Sequence, residues 1–354
     1  MTEAWQYLGA AIRAIMCNAG ENAVHFAYYA QLRSVISIFA GSGVRVSLGK
    51  CYYVDDAGVR HNFTLPAPVQ SRTHPLAWAL WSEWVKTPYA SDLMGKNMPI
   101  ISGISLADLV LVPSSSGALL GAWGYDLAKG VEDHTARNKA SYRAKSSQVP
   151  EVMSAASVQL IRKMWTLMQQ SGDGVLFDTT LVRYFVERYI ANAVQQARVE
   201  GQILDRDMLL QKVIEQTCAK TGASKSMLEE VFRGEVDTGL FDLASASDTK
   251  VENVVSRALF LVRIATLALA DSLKVGPNAD CRQWLSYWLE SGGLYDRLVH
   301  SEPADIAMDY EEALQEFDSV DVSNLPAAIW SKDLAGSSAL LARPEGFVAW
   351  ALPL

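Results

Sequence analysis

Between Asp133 and Arg143 the chain reads Asp-His-Thr-Ala-Arg-Asn-Lys-Ala-Ser-Tyr-Arg, a polar stretch made of the residue types that handle phosphates. Wound as a helix, it places His134, Asn138 and Tyr142 on one face, with Arg137 and Ser141 along the adjacent edge. A guanidinium fixed on a helix can grip a phosphate through two parallel hydrogen bonds, and a neighbouring Asn can orient that phosphate or a sugar hydroxyl. Lys129, Arg137, Lys139, Arg143 and Lys145, set against Glu132 and Asp133, make the span 129–145 locally positive. His134 offers an imidazole for proton transfer, with Asp133 beside it to influence its charge. The same residues also read as an ordinary helix surface, in which Asp133 and Arg137 pair at i, i+4.

The string Arg137-Asn138-Lys139-Ala140-Ser141-Tyr142 resembles the R-N-x-x-x-H signature of the HEPN superfamily, with Tyr142 where the signature has histidine. Three further strings are similar to uncharacterised proteins of bacterial defence loci: Ala27-Tyr28-Tyr29-Ala30-Gln31-Leu32-Arg33, Thr73-His74 before a Trp-rich helix, and Arg257-Ala258-Leu259-Phe260-Leu261-Val262-Arg263. The resemblance implies a helical bundle that dimerises so that two Arg motifs share a cleft and cleave RNA without metal. It assigns Arg137 to the scissile phosphate, Asn138 and Tyr142 to its positioning, and His134 to the proton. Arg143, Lys139 and Lys145 are then phosphate or RNA contacts. Tyrosine ionises near pH 10, so Tyr142 serves as a hydrogen-bond donor and not as a general base.

The elements that must hold this segment are mostly helices. Trp5, Leu8, Ile12, Ile15 and Met16 repeat at helical spacing, and so do Val24, Tyr28, Val35, Ile36 and Phe39, which predicts an antiparallel helix pair broken at 18–20. From Val44 the period drops to two. Val44, Val46 and Leu48, then Val59, His61, Phe63 and Leu65, flank a turn at 55–58 and predict a β-hairpin insertion near 44–65. Thr73-His74-Pro75 opens a helix whose Trp78, Trp81 and Trp84 form a core stripe. A helix is expected over 106–112, a Ser/Gly loop at 114–117, and long helices throughout 158–317. Ser146 to Pro150 is the boundary expected between an N-terminal helical domain, 1–148, and a C-terminal helical domain or subdomain packed on it, 149–354. The C-terminal string around Phe347 and Trp350 reads as a closing strand or extended tail. The acidic block Glu302 to Asp321 reads as a solvated face, or as a mimic of nucleic acid that covers the basic segment.

Composition narrows the functions open to a mainly α helical bundle of this kind. With 354 residues, half of them apolar, a large core can form. The formal charge of −8 excludes wholesale coating of nucleic acid and leaves only focused phosphate contacts. Cys17, Cys51, Cys218 and Cys281 form no close pair and read as reduced, mostly buried thiols. His61, His74 and His300 lack metal-ligand spacing, and the glycine pairs at 41–43 and 172–174 read as turns, so neither metal nor cofactor is expected. No segment reads as a secretion signal or bilayer span, which gives a cytoplasmic expectation. Two functional classes remain. One is a HEPN-like, metal-independent endoribonuclease of an anti-phage defence or toxin system, acting on RNA as a homodimer. The other is a non-catalytic interaction, sensor or scaffold subunit whose same helix docks a protein partner.

Overall fold

A computed structural model describes residues 1–47, 50–55, 57–62, 73–97, 99–101, 103–109, 129–142, 154–171, 174–234, 237–274, 279–294, 303–320 and 333–352. The fold is mainly α. Helix α1 (Thr2–Met16) turns at Asn18, whose φ of 52° lies in the left-handed region that Asn tolerates, and the chain returns as α2 (Gly20–Gly41). Trp5, Leu8, Ile12 and Ile15 are buried, as their spacing predicts. Each such burial contributes roughly 1.5–3 kcal/mol.

The insertion after α2 is a three-stranded antiparallel sheet, β1 (Val44–Ser47), β2 (Lys50–Val54) and β3 (Arg60–Asn62), where the sequence suggested two strands. The unforeseen strand is β2. Its Cys51 pairs with Val46 and is buried, but Tyr52, Tyr53 and Val54 are half-buried to exposed and show no alternation. The expected turn does form: Asp55 Oδ1 accepts from the backbone N–H groups of Ala57 and Val59, and Gly58 adopts φ +78°. Phe63 and Leu65 lie outside the described residues.

Helices α3 (Thr73–Trp84) and α4 (Pro88–Asn97) follow, with Trp78, Trp81 and Trp84 buried as a stripe. A two-stranded pair, β4 (Pro99–Ile101) and β5 (Ile104–Ser105), leads into a single 3₁₀ turn, Leu106–Asp108. The helix expected over 106–112 stops there. Asp108 caps Ser105 in a reciprocal capping box, and Leu109 is already extended. The loop at 114–117 and the boundary at 146–150 lie outside the described residues.

The polar segment of interest is α5 (Lys129–Tyr142). Beyond it come α6 (Ala155–Met168), the short pair β6 (Gln170–Ser171) and β7 (Gly174–Val175), α7 (Leu176–Val199), α8 (Arg206–Thr221), α9 (Lys225–Arg233), α10 (Gly239–Ser245), α11 (Val251–Lys274), α12 (Ala279–Ser291), α13 (Pro303–Asp318) and α14 (Ala335–Leu341). Residues 344–351 are not a strand. A 3₁₀ turn, Pro344–Phe347, runs into α15 (Val348–Ala351), with Phe347 buried and Trp350 half-buried. Pro344 starts that turn, and its fixed φ favours a helical entry over a strand.

Helix α11 is the axis of the molecule. It makes its most extensive contacts with α2 and also packs on α1, α10 and α6. Val251–Leu273 is the one helix among the described residues long and apolar enough to cross a membrane, and 89% of that window is buried inside the protein. A helix apolar all round belongs in the middle of a core. One hydrophobic cluster, from Ala4 to Leu352, draws on both halves of the chain. The four cysteines are free thiols, but Cys17 is exposed, Cys218 and Cys281 are half-buried, and only Cys51 is buried. Cys17 sits in the α1–α2 turn, which leaves it in solvent.

Candidate functional site

Helix α5 is too polar to bury itself, so it is held by specific devices. Gly130 lies so close to the Trp78 ring that a β-carbon there would stand 2.3 Å from Cε3, a contact only glycine permits. One turn on, Asp133 is fully buried. It accepts from Arg257 Nε at 2.8 Å and Nη2 at 2.7 Å, and from Gln31 Nε2 at 2.9 Å. Arg257, also fully buried, donates to the carbonyls of Ala246 and Asp248 as well. This overturns one sequence expectation. Asp133 pairs with Arg257 of α11 and not with Arg137. Arg257 can approach because α11 runs beneath α2, a proximity that local spacing does not encode.

Arg137 is thereby left without a carboxylate among the described residues. Its Nη2 donates to the Tyr29 hydroxyl at 2.6 Å and its Nη1 to Asn138 Oδ1 at 2.9 Å, while its guanidinium lies 5.0 Å from the Tyr29 ring centre. Its Nε is buried with no hydrogen-bond acceptor among the described residues. Tyr29 is braced from behind by Tyr7, the two rings stacked at 5.2 Å. Because Asn138 Oδ1 is occupied by Arg137, the amide turns its Nδ2 toward His134 Nε2, 3.5 Å away at the outer edge of hydrogen-bond range. That contact leaves Nε2 of His134 as an acceptor.

Two more imidazoles complete the cluster. In α2, His25, Tyr28 and Tyr29 share one face at i, i+3, i+4; in α3, His74 and Trp78 do the same at i, i+4. The Tyr28 hydroxyl accepts from Trp78 Nε1 at 3.2 Å and lies 3.0 Å from His74 Nδ1. Burial raises the Tyr28 phenol above its ordinary range, so it keeps its proton and directs it at His74 Nδ1. His74 therefore carries its own proton on Nε2. The His74 and His134 rings are 5.2 Å apart, and both contact Tyr28. On the outer side His25 Nδ1 is 2.8 Å from Ser141 Oγ, which donates to the Arg137 carbonyl; His25 is the donor to Ser141, and its Nε2 keeps a lone pair.

The electrostatics are one-sided. His74 is pushed down to about 4, first by burial and then by the neighbouring His134, Arg137 and Arg33. His25 is lowered as well, by burial and then by Arg137. Two imidazoles held low beside a guanidinium mark a cluster that disfavours further positive charge and would welcome an anion. No group of three or more His, Cys, Asp or Glu among the described residues is arranged to hold a metal ion.

Of the residues singled out in the sequence, the structure gathers Arg137, Asn138 and His134, with Ser141 at the edge. Lys139 is exposed and makes none of these contacts. Tyr142 ends α5, its side chain outside what is described, and Arg143 and Lys145 lie outside the described residues altogether. His25, Tyr28, Tyr29, His74 and Trp78 were not read as site residues. The available signal was His25, Tyr28 and Tyr29 on one helical face, and His74 four residues before Trp78. No family model, curated protein or solved structure matches the chain. The functional reading therefore stands on this geometry.

Proposed function

We propose that the Arg137 cluster binds the phosphodiester of RNA and that the chain is a HEPN-like, metal-independent endoribonuclease of a bacterial anti-phage defence or toxin system. The observation that carries this reading is a half-buried guanidinium without a carboxylate partner among the described residues, set among three imidazoles. Arg137 neutralises the charge that builds on the non-bridging oxygens, and His74 Nε2–H donates to the same oxygens. His134 Nε2, released from its long contact with Asn138 Nδ2, takes the proton of the ribose 2′-hydroxyl as that oxygen attacks phosphorus. The P–O5′ bond breaks, O5′ is protonated by solvent, and His134 returns its proton to solvent. The products are a 2′,3′-cyclic phosphate and a 5′-hydroxyl. In this scheme His134 replaces the signature histidine that Tyr142 lacks.

Purified protein should cleave single-stranded RNA in the presence of a chelator and leave cyclic phosphate ends. Arg137→Ala should lower the rate by roughly 10²–10³, the size expected for removing one charge-stabilising donor. Equal cleavage by wild type and variant would identify a contaminant and end the proposal.

A second reading is favoured by Tyr142 at the histidine position and by the exposure of Val131, Glu132, Thr135 and Lys139 along the outer face of α5. In it the helix docks a protein partner of the defence system and the chain is a non-catalytic subunit. Here a partner co-purifies and is lost on Lys139→Glu, with RNA left intact.

A further inference from the structure

The acidic helix α13 takes no part in the site above, yet it walls a cavity of about 250 Å³ on another face of the molecule. Ala307, Tyr310, Glu311 and Leu314, one helical face, line it together with Trp165 of α6 and Trp350 of α15. Trp165 and Tyr310 stack at 4.5 Å, and Trp350 tilts against Tyr310 at 5.5 Å. The polar edges of all three rings are engaged by main-chain carbonyls: Trp165 Nε1 donates to Leu341, Trp350 Nε1 to Met168, and the Tyr310 hydroxyl to Arg343. Trp165 and Tyr310 are buried and cover each other's faces, so the ring that meets the cavity most openly is half-buried Trp350. Gly346 fits against Tyr310 where a β-carbon would stand 2.3 Å from its hydroxyl, so the wall is fixed before any ligand arrives.

Charge on this wall is negative. Glu311 is exposed at the rim and makes no ion pair among the described residues, whereas the nearby cations are taken, Arg162 by Asp318 and Arg343 by Glu345. An anion would meet a carboxylate and the negative faces of aromatic rings. A cation with a greasy shell would meet attraction from both. The volume lies below the range of roughly 300–1,000 Å³ typical of drug-sized ligands, which restricts the occupant to a compact group.

We infer that this cavity is a binding site for a small alkylammonium molecule of the quaternary, choline-like class, with Trp350 against the methyl groups, the Tyr310–Trp165 stack behind it and Glu311 as counter-ion. Titration of the full chain with choline chloride at fixed ionic strength, followed by calorimetry and ligand-observed NMR, tests it against 3,3-dimethylbutan-1-ol, the neutral molecule of the same shape. Choline should saturate a single site and bind roughly tenfold more tightly than the alcohol. Glu311→Gln, an exposed position whose change leaves melting unaltered, should weaken choline severalfold and leave the alcohol unchanged. Trp350→Leu, checked for an intact fold by circular dichroism, should lose both. Absence of saturable choline binding, equal affinity for choline and the alcohol, or indifference of choline to Glu311→Gln would each overturn the assignment.

Discussion

His74 is the imidazole of the cluster whose chemistry its surroundings alter most plainly. Its proton affinity falls from the ordinary 6.5 to about 4, with burial the first cause and the charges of His134, Arg137 and Arg33 next. The unfolded chain takes up a proton on His74 as pH drops below 6.5, while the native protein resists until about 4. Stability present above pH 6.5 is therefore lost as pH falls through that window, and His25, shifted the same way, adds to the loss. Melting temperature measured between pH 8 and pH 4, a range bracketing the two values, should decline less steeply in His74→Gln than in wild type. Identical slopes would show that His74 is not depressed. An anion in the cluster should also raise the His74 titration midpoint, visible by NMR on adding inorganic phosphate. Arg137, Asn138 and His134 were legible in the sequence because they lie within one turn of one another. His74 was not, because its partner Tyr28 is 46 positions away and His134 farther still, and only the crossing of α2, α3 and α5 unites them.

Among the elements, α5 depends on one buried ion pair. Removing one member of such a pair strands the other in the core, so Asp133→Asn should cost roughly 3–5 kcal/mol, measured by urea unfolding. Replacing both, Asp133→Leu with Arg257→Met, should recover much of that loss, since an apolar pair carries no desolvation penalty. A single variant no worse than the double would show that the pair contributes little. Helix periods were read correctly for α1 and the tryptophan stripe of α3, whereas α2 is buried well beyond the expected face, through Ala30, Gln31 and Leu32, and its Ile36 is only half-buried. The insertion was misread by one strand because Tyr52, Tyr53 and Val54 of β2 lie between the core and solvent and do not alternate. The helix expected over 106–112 starts as read, with the Ser105–Asp108 capping box at its N-terminus, but ends after one 3₁₀ turn because Leu109 is extended. The C-terminal tail was misjudged because aromatic residues suggest a strand, while packing of Phe347 against Trp5 is met equally well by a helical turn.

Across the whole molecule, stability should be graded outward from α11. Its faces are covered by α1, α2, α6 and α10, and its two arginines are each tied to a buried aspartate, Arg257 to Asp133 and Arg263 to Asp178. Hydrogen exchange should find the slowest amides in Val254–Leu267 and faster exchange in the exposed outer turns of α5, with the difference read as a lower opening free energy. Uniform protection through both helices would contradict this ordering. The mainly helical class was evident from composition and period because most of the chain is locally encoded helix. The central place of α11 was less so, since its apolar run also fits a bilayer and only tertiary burial separates the two.

The two residues that moor α5, Gly130 and Asp133, are different from those that face the cluster, His134, Arg137, Asn138 and Ser141. The helix is in effect a cassette with separate fixings and fittings. Residues 134, 137 and 138 are half-buried and carry no buried ion pair, so they can change chemistry at less cost than the moorings, whereas Gly130→Ala would drive a methyl into Trp78 and unseat the segment. A library randomised at the facing positions should stay folded in most members, and one randomised at the moorings should not. Such a division makes α5 a place where a new specificity can evolve without a new fold.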